Sequence, residues 1–539
     1  MPTRETGSGR TVLRGGEVVA AAGVLRADVA AEGGVITAVG DVEPRDGDRI
    51  VDCGGRYVLP GFVDAHSHAD GLLGDDGVQR SLLRQGVTSV ICGQDGVSYA
   101  PGDGRYASDY FGAINGDHAA YAGDGVAGYL ASIDGTTRVN AGYLVPAGTV
   151  RFEVCGRDDG AADAAQLARM LHLVESGLRE GALGLSTGLD YVPGLFQSSE
   201  EIAALCEPVA RAGGVYVSHL RGGYEANTAV GTGEAARIAD RVLAATGSRL
   251  PVHVSHLHAD ADIVLGELET LAAREHDVTF DAYPYVRGCS LMTMPLLPPA
   301  LSARPTDEVV RVLGDPEERE RLRRDWFPLV AHNPSLGPQW PRMITLAGIA
   351  ASEYAWMLGL TLAQAAGRAG RDVIDLALDV MRASRLGVSI VMAVQNPRPV
   401  SELARIFAHP AHVGGSDGIF LGGHPHPRAR GTFARFLREY VRETATWSWP
   451  DAVWHLSLTA AERFGLGRRG EVAVGAVADL AVVDPGTVAD RATYEEPLRD
   501  AVGIDDVLVA GVPVLHDGEL TDARPGRGLR RESRSARKA

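Results

Sequence analysis

The sequence almost lacks lysine: of 52 basic residues only Lys538, in the tail, is one. That excludes Schiff-base chemistry, a P-loop and a lysine-derived bridge between metal ions. Cysteine is nearly as scarce. Cys53, Cys92, Cys155, Cys206 and Cys289 are odd in number, scattered and never in C-x-x-C spacing. Neither a disulfide framework nor a thiolate zinc site is indicated, and all five are read as reduced. No run approaches the ~18 apolar residues a membrane span needs, and the start MPTRETGSGRTVLRGG has no apolar stretch of a signal peptide. A cytoplasmic protein without membrane contact is the expectation. Positive charge is in deficit as well. A net charge of −17 argues against a nucleic-acid partner, because polyphosphate binding needs clustered Lys and Arg. The basic run Arg524 to Lys538 reads as a solvated, frayed end.

What the sequence does have is length and a well-filled interior: 539 residues, 45% of them hydrophobic, suit a large catalytic domain with smaller units attached. Residues 10 to 58 read as short alternating strands with Gly turns, and residues 470 to 530 repeat the pattern (GEVAVGAVADLAVVD, DVLVAGVPVLHDGEL). Between them TSVIC, GVYVSHL, LPVHVSHL, VTFDAY and VSIVMAV alternate with helical segments, as parallel βα units do. Residues 286 to 350, rich in Pro, Arg and Glu, break the alternation. The expected fold is α/β: a (β/α)8 TIM-like barrel (61–285 and 351–467), a small β-sandwich built from both chain ends (1–60 plus 468–539) and an inserted helical lid subdomain (286–350). A lid over the barrel mouth is the functional reading of the insertion, a passive surface excursion its alternative.

Three H-x-H triplets occur: His66/His68, His256/His258 and His424/His426. In FVDAHSH the first pair ends an apolar run, and the strand period of two puts both rings on one face. His219 ends GVYVSHL, His256 ends LPVHVSHL, and Asp417 follows a short apolar stretch in AHVGGSDG. One strand-end histidine alone is more often structural. Several at one rim are what Zn²⁺ or a similar ion requires, since its N and O ligands must converge from separate strands.

The stretches PGFVDAHSHAD, GALGLSTGLDYVPG (181–194), the SHLR and VSHLH histidines, DAYPY, GGSDG and HPRARGTF resemble the amidohydrolase superfamily and, within it, the D-aminoacylase (N-acyl-D-amino-acid deacylase) family, over about residues 10 to 530. By that resemblance His66, His68 and Asp417 hold one metal position and His219 and His256 the other. Where the family has a cysteine in a G-N-C-G turn, this chain has GQDG, so Asp95 takes the ligand position. A carboxylate can bind or bridge two divalent ions but is harder than thiolate; zinc is the expected ion, one or two in number, with Mn, Co and Fe also compatible. Cys92, on the preceding strand, reads as a buried apolar cysteine.

The resemblance implies hydrolysis of an N-acyl amide bond on a small D-amino-acid-like or related carboxylate substrate, with Asp417 as ligand and general acid/base. Tyr191 would hydrogen-bond the substrate carbonyl, or else be a rim aromatic packed on the lid. Arg428 matches the arginine that grips the substrate carboxylate, with Tyr283 and Ser290 beside it. The family's second cation, a lysine, is His258 here, and Pro146-Ala147-Gly148 replaces a G-H-G; Arg287 is a candidate compensating cation or an ordinary surface arginine. A hydrolase of another C–N bond on the same centre, or a non-catalytic barrel, remain the alternatives, and a homo-oligomer is compatible with each.

Overall fold

The computed structural model describes residues 9–20, 22–223 and 227–531. Its centre is a nearly closed barrel of eight parallel strands: β1 (Phe62–Asp64), β2 (Val87–Cys92), β3 (Asn140–Pro146), β4 (Gly184–Gly188), β5 (Val215–His219), β6 (Val252–Val254), β7 (Val278–Ala282) and β8 (His412–Gly414). β2 (VTSVIC) shows why these segments are strands: its β-branched residues are buried on both faces, as in sheets covered by helices outside and filled by side chains within. Two of the intervening helices start on side-chain caps. Ser198 accepts from the Glu201 N–H ahead of Ser199–Ala212, and Asp163 with Gln166 forms a capping box ahead of Ala164–Arg179. β8 meets β1 just beyond the strand ends, where Asp417 N–H donates to His66 O at 2.8 Å, His68 N–H to Gly418 O at 3.1 Å and Ala65 N–H to Gly414 O at 3.1 Å.

The chain ends do come together. Tyr57–Pro60 pairs antiparallel with Leu480–Val483 inside a seven-stranded sheet drawn from both ends, and a four-stranded sheet (11–14, 28–32, 35–40, 49–52) lies beside it. The strand period of two divides the larger sheet between two cores. Val18, Val58, Leu480, Val482 and Leu508 share a cluster with Leu13, Val29 and Ile36 of the smaller sheet, whereas Val19, Leu59, Ala481, Val483 and Val507 pack into the barrel's cluster. This explains why LAVV is apolar at every position.

Three expectations are corrected. VSIVMAV is not a barrel strand: Val388–Met392 pairs antiparallel with Gly288–Leu291 and Ile344–Ile349 in a separate three-stranded sheet. That sheet and the helices around it form a unit between β7 and β8 whose own hydrophobic cluster runs from Met292 to Ile390, past the expected boundary at 350. The basic tail is not frayed at its start either. Arg524 pairs with Asp76 at 3.0 Å, and Gly528–Leu529 pairs with Ala141–Gly142 of β3, so this part of the expected terminal unit is stitched to the barrel. Residues 532–539, with Lys538, lie outside the described residues.

Candidate metal centre

The ends of β1, β2, β5, β6 and β8 deliver His66, His68, Asp95, His219, His256 and Asp417 to one point, all nine-tenths or more buried. Asp95 sits at the middle, and its two oxygens divide the four histidines crosswise. Oδ1 faces His66 Nε2 at 3.6 Å and His256 Nε2 at 3.8 Å; Oδ2 faces His68 Nε2 and His219 Nδ1, both at 3.6 Å. Asp417 Oδ1 lies 3.3 Å from His68 Nε2 and 3.8 Å from His66 Nε2, and His219 Nδ1 lies 3.1 Å from His256 Nε2. Ligands ~2.0–2.1 Å from a tetrahedral Zn²⁺ stand roughly 3.3 Å apart. The spacing therefore suits a divalent ion, with His66, His68, Asp417 and His66, Asp95, His256 as two candidate triads.

Each ring is oriented from behind. Asp281 Oδ2 accepts from His66 Nδ1 at 3.3 Å and contacts His253 Nε2 at 3.0 Å, while its Oδ1 takes the His256 backbone N–H at 2.8 Å. Asn115 Oδ1 accepts from His68 Nδ1 at 2.9 Å, and Asp190 Oδ2 lies 3.3 Å from His219 Nε2. With Nδ1 of His66 donating, its Nε2 lone pair points inward; that atom and Asp95 Oδ1 are buried with no hydrogen-bond partner among the described residues. A cation is what such a pair lacks. The carboxylates favour positive charge at this point: burial opposes protonation of His68 and His219, but Asp417 and Asp95 outweigh it at His68, as Asp95 and Asp190 do at His219, and both pKa values are pushed up to about 10.

The backbone is specialised here. Asp95, His256 and Asp417 all have positive φ (55°, 32° and 48°), a conformation that non-glycine residues rarely adopt and that gathers at functional sites. Gly188, closing β4, makes room for the Asp95 turn: a Cβ there would lie 2.0 Å from Asp95 O.

A chamber of about 180 Å³ opens at the cluster, lined by Tyr191, His258, Tyr283 and Ser290 together with the apolar Phe111, Ile114, Met294 and Ile419. Arg428 is fully buried and not among the lining residues: its Nη2 lies 2.8 Å from Asp417 Oδ2, and its guanidinium covers the Tyr283 ring at 4.5 Å. Arg287 stacks on Tyr494 at 4.0 Å and lines a second cavity beyond. Cys92 packs in the barrel core, where burial holds its thiol protonated. Sequence reasoning missed Asn115, Asp190, Asp281 and His253. Asp190 and Asp281 stood in the quoted LDY and DAYPY stretches; Asn115 carried no signal.

The sequence pattern of the Amidohydrolase family matches residues 49–298 and 359–515. The D-aminoacylase of Alcaligenes xylosoxydans xylosoxydans is 30% identical over 514 residues, 94% of either chain, and the N-acyl-D-glutamate deacylase of the same organism is 31% identical over 537 residues, 97% of this chain and 96% of that one. Among solved structures, the N-acyl-D-glutamate deacylase of Bordetella bronchiseptica, complexed with zinc and a phosphonate inhibitor that mimics the reaction's tetrahedral intermediate, superposes with a TM-score of 0.79 at 28% identity, covering 96% of this chain and 99% of that one.

Proposed function

The chain belongs to the amidohydrolase family, and from that premise we propose that it is a metal-dependent hydrolase cleaving the N-acyl amide bond of a small D-amino-acid-like carboxylate. The observation that carries this reading is the Asp95 carboxylate set among four buried histidines with Asp417 beside them. His66, His68, Asp95, His219, His256 and Asp417 would hold the ion, and the zinc in the Bordetella relative favours zinc. A bound divalent ion supplies Lewis acidity, bringing the pKa of water down to ~7 and polarising the scissile carbonyl.

The chain's own groups do the rest. Arg428 pairs with Asp417 Oδ2, while Asp417 Oδ1 faces His68 and His66, and the residue borders the chamber. Although burial alone would raise it, Arg428 and the histidines hold the Asp417 pKa down at about 2, so it enters the reaction ionised. It accepts the proton of the attacking water as the new C–O bond forms, then passes it to the nitrogen as the C–N bond breaks. The Tyr191 hydroxyl, kept protonated by burial and by Asp95, donates to the carbonyl oxygen as negative charge develops there. We read the two terminal sheets as a sandwich and the unit between β7 and β8 as a lid, because its Cys289, Ser290, Met294 and Met392 line the chamber.

Metal analysis and a panel of N-acetyl and N-formyl D- and L-amino acids, read by released amine, test the reading. At least one equivalent of divalent ion and turnover of a D-substrate are expected. Less than one equivalent with no gain on reconstitution, or a metal-loaded protein inert on the whole panel, overturns it.

A further inference from the structure

A third cavity, of about 680 Å³, lies where the barrel meets the unit between β7 and β8. It shares no lining residue with the chamber at the metal centre, yet the two stand back to back. In the helix Arg105–Asn115, Tyr110 and Ala113 line the cavity while Phe111 and Ile114 line the chamber; in the strand Gly288–Leu291, Leu291 lines the cavity and Ser290 the chamber. One helix and one strand form a common partition, the strand because its successive side chains point to opposite faces.

The charges around this cavity are unequally satisfied. On the inserted unit, Arg385 and Asp307 pair with each other at 2.7 Å. On the barrel wall, the side chains of Arg157 and Asp109 make no ion pair or hydrogen bond among the described residues. The Arg157 guanidinium instead stands over three rings, 5.9 Å from the Tyr106 centroid, 5.6 Å from that of Tyr110 and 5.8 Å from that of Phe152, which holds a positive charge at the wall without neutralising it. Two opposite charges on one wall, neither paired, are the complement of a zwitterion: a carboxylate takes the planar guanidinium and an ammonium takes Asp109. A simple anion would meet Asp109 as well, and a simple cation Arg157. Phe152, Leu291, Pro305 and Leu386 add apolar surface, and the volume falls within the ~300–1,000 Å³ of small-molecule sites.

We propose that this cavity is an effector site for a free α-amino acid with an apolar side chain, its carboxylate on Arg157, its ammonium on Asp109 and its side chain against Phe152, Leu291 and Leu386. Occupancy reaches the metal centre through the partition. The Tyr106 hydroxyl donates to the Val192 carbonyl and the Tyr110 hydroxyl accepts the Val192 N–H at 3.0 Å, so two of the rings beneath Arg157 grip the backbone next to Tyr191. Phe111, the neighbour of Tyr110, packs edge-on against the Tyr191 ring with centroids 5.0 Å apart. A ligand that draws on Arg157, or that ties the inserted unit to the barrel, moves these rings and the chamber wall with them. The site does not depend on which bond the metal centre cleaves.

The test is calorimetric titration of the metal-loaded protein with D- and L-leucine, with 4-methylpentanoic acid, which lacks the ammonium, and with 3-methylbutylamine, which lacks the carboxylate. Leucine of at least one hand is expected to bind about tenfold or more tighter than either fragment, the scale of a charge-assisted hydrogen bond, and to lose about as much in R157Q and in D109N; R157K recovers part of it. D109N changes an exposed helix position and so tests the site even where R157Q fails to fold. Coupling is read by titrating acetohydroxamate, a metal-binding probe of the chamber, with and without saturating leucine: its affinity is expected to change about fivefold or more in the wild type and not in D109N. Leucine bound equally by the wild type and D109N, or no better than its fragments, overturns the proposal. So does a hydroxamate affinity indifferent to leucine, or one that responds equally in D109N, which would mean competition inside the chamber.

Discussion

Asp281 Oδ2 and His66 Nδ1 lie 3.3 Å apart, both fully buried, and the other Asp281 oxygen takes the backbone N–H of His256. One carboxylate thus fixes the tautomer of one candidate ligand and the position of another. D281N removes the charge and presents a donor where an acceptor is needed. Metal affinity is expected to fall about 10–100-fold, the usual consequence of losing such a partner, as measured by chelator competition. Wild-type affinity in D281N would sink this account of the His66 ring.

Asp95 gives an oxygen donor where the resembling family has sulfur. D95C is expected to raise the ratio of zinc to manganese bound when both are offered together, since thiolate selects the softer ion. Metal analysis by mass spectrometry reads the ratio, and no change would mean that Asp95 does not contact the ion.

Tyr191 faces the chamber edge-on to Phe111, with ring centroids 5.0 Å apart. In Y191F the ring packing survives and the hydroxyl is lost. If the hydroxyl stabilises developing charge, kcat drops about 10²–10³-fold with little change in KM. A rise in KM alone would place Tyr191 in ground-state binding.

G188A separates fold from site. The new Cβ would meet Asp95 O at 2.0 Å and Tyr191 Cδ2 at 2.7 Å, so the turn carrying Asp95 must move. The variant is expected to hold less metal than the wild type at equal protein concentration; a full complement of metal together with full activity would contradict this.

The Arg428–Asp417 pair is buried, and deleting one partner strands the other charge. R428M is expected to lose about 3–5 kcal/mol of stability in chelator-treated protein, read from denaturant unfolding. A loss under 1 kcal/mol would show that Asp417 is solvated or protonated in the variant.

Which parts of this were legible in the sequence follows from how local the signals are. His66, His68, His219 and His256 close apolar runs, so strand periodicity alone places them at one rim. VSIVMAV misled because a short β-branched run is the same in a parallel barrel and an antiparallel side sheet; only its partners differ. Arg428 was recognisable by residue type, yet whether its fork meets a substrate carboxylate or Asp417 is a matter of rotamer and burial. Asn115 ends the helix Arg105–Asn115, and nothing nearby in sequence marks it as the acceptor for His68.

The meeting of β1 with β8 carries a consequence for assembly. His68 Nε2 and Asp417 Oδ1 face each other at 3.3 Å across the seam where the first strand greets the last, with nearly the whole barrel between them in sequence. Contacts of such separation pay loop-closure entropy before they return anything, so they form late. A chain stalled with its final strand undocked displays the histidines but not Asp417, and its pocket stays unfinished. Tight metal uptake during refolding is therefore a clock for ring closure, lagging behind the helical signal and arriving with the last strand.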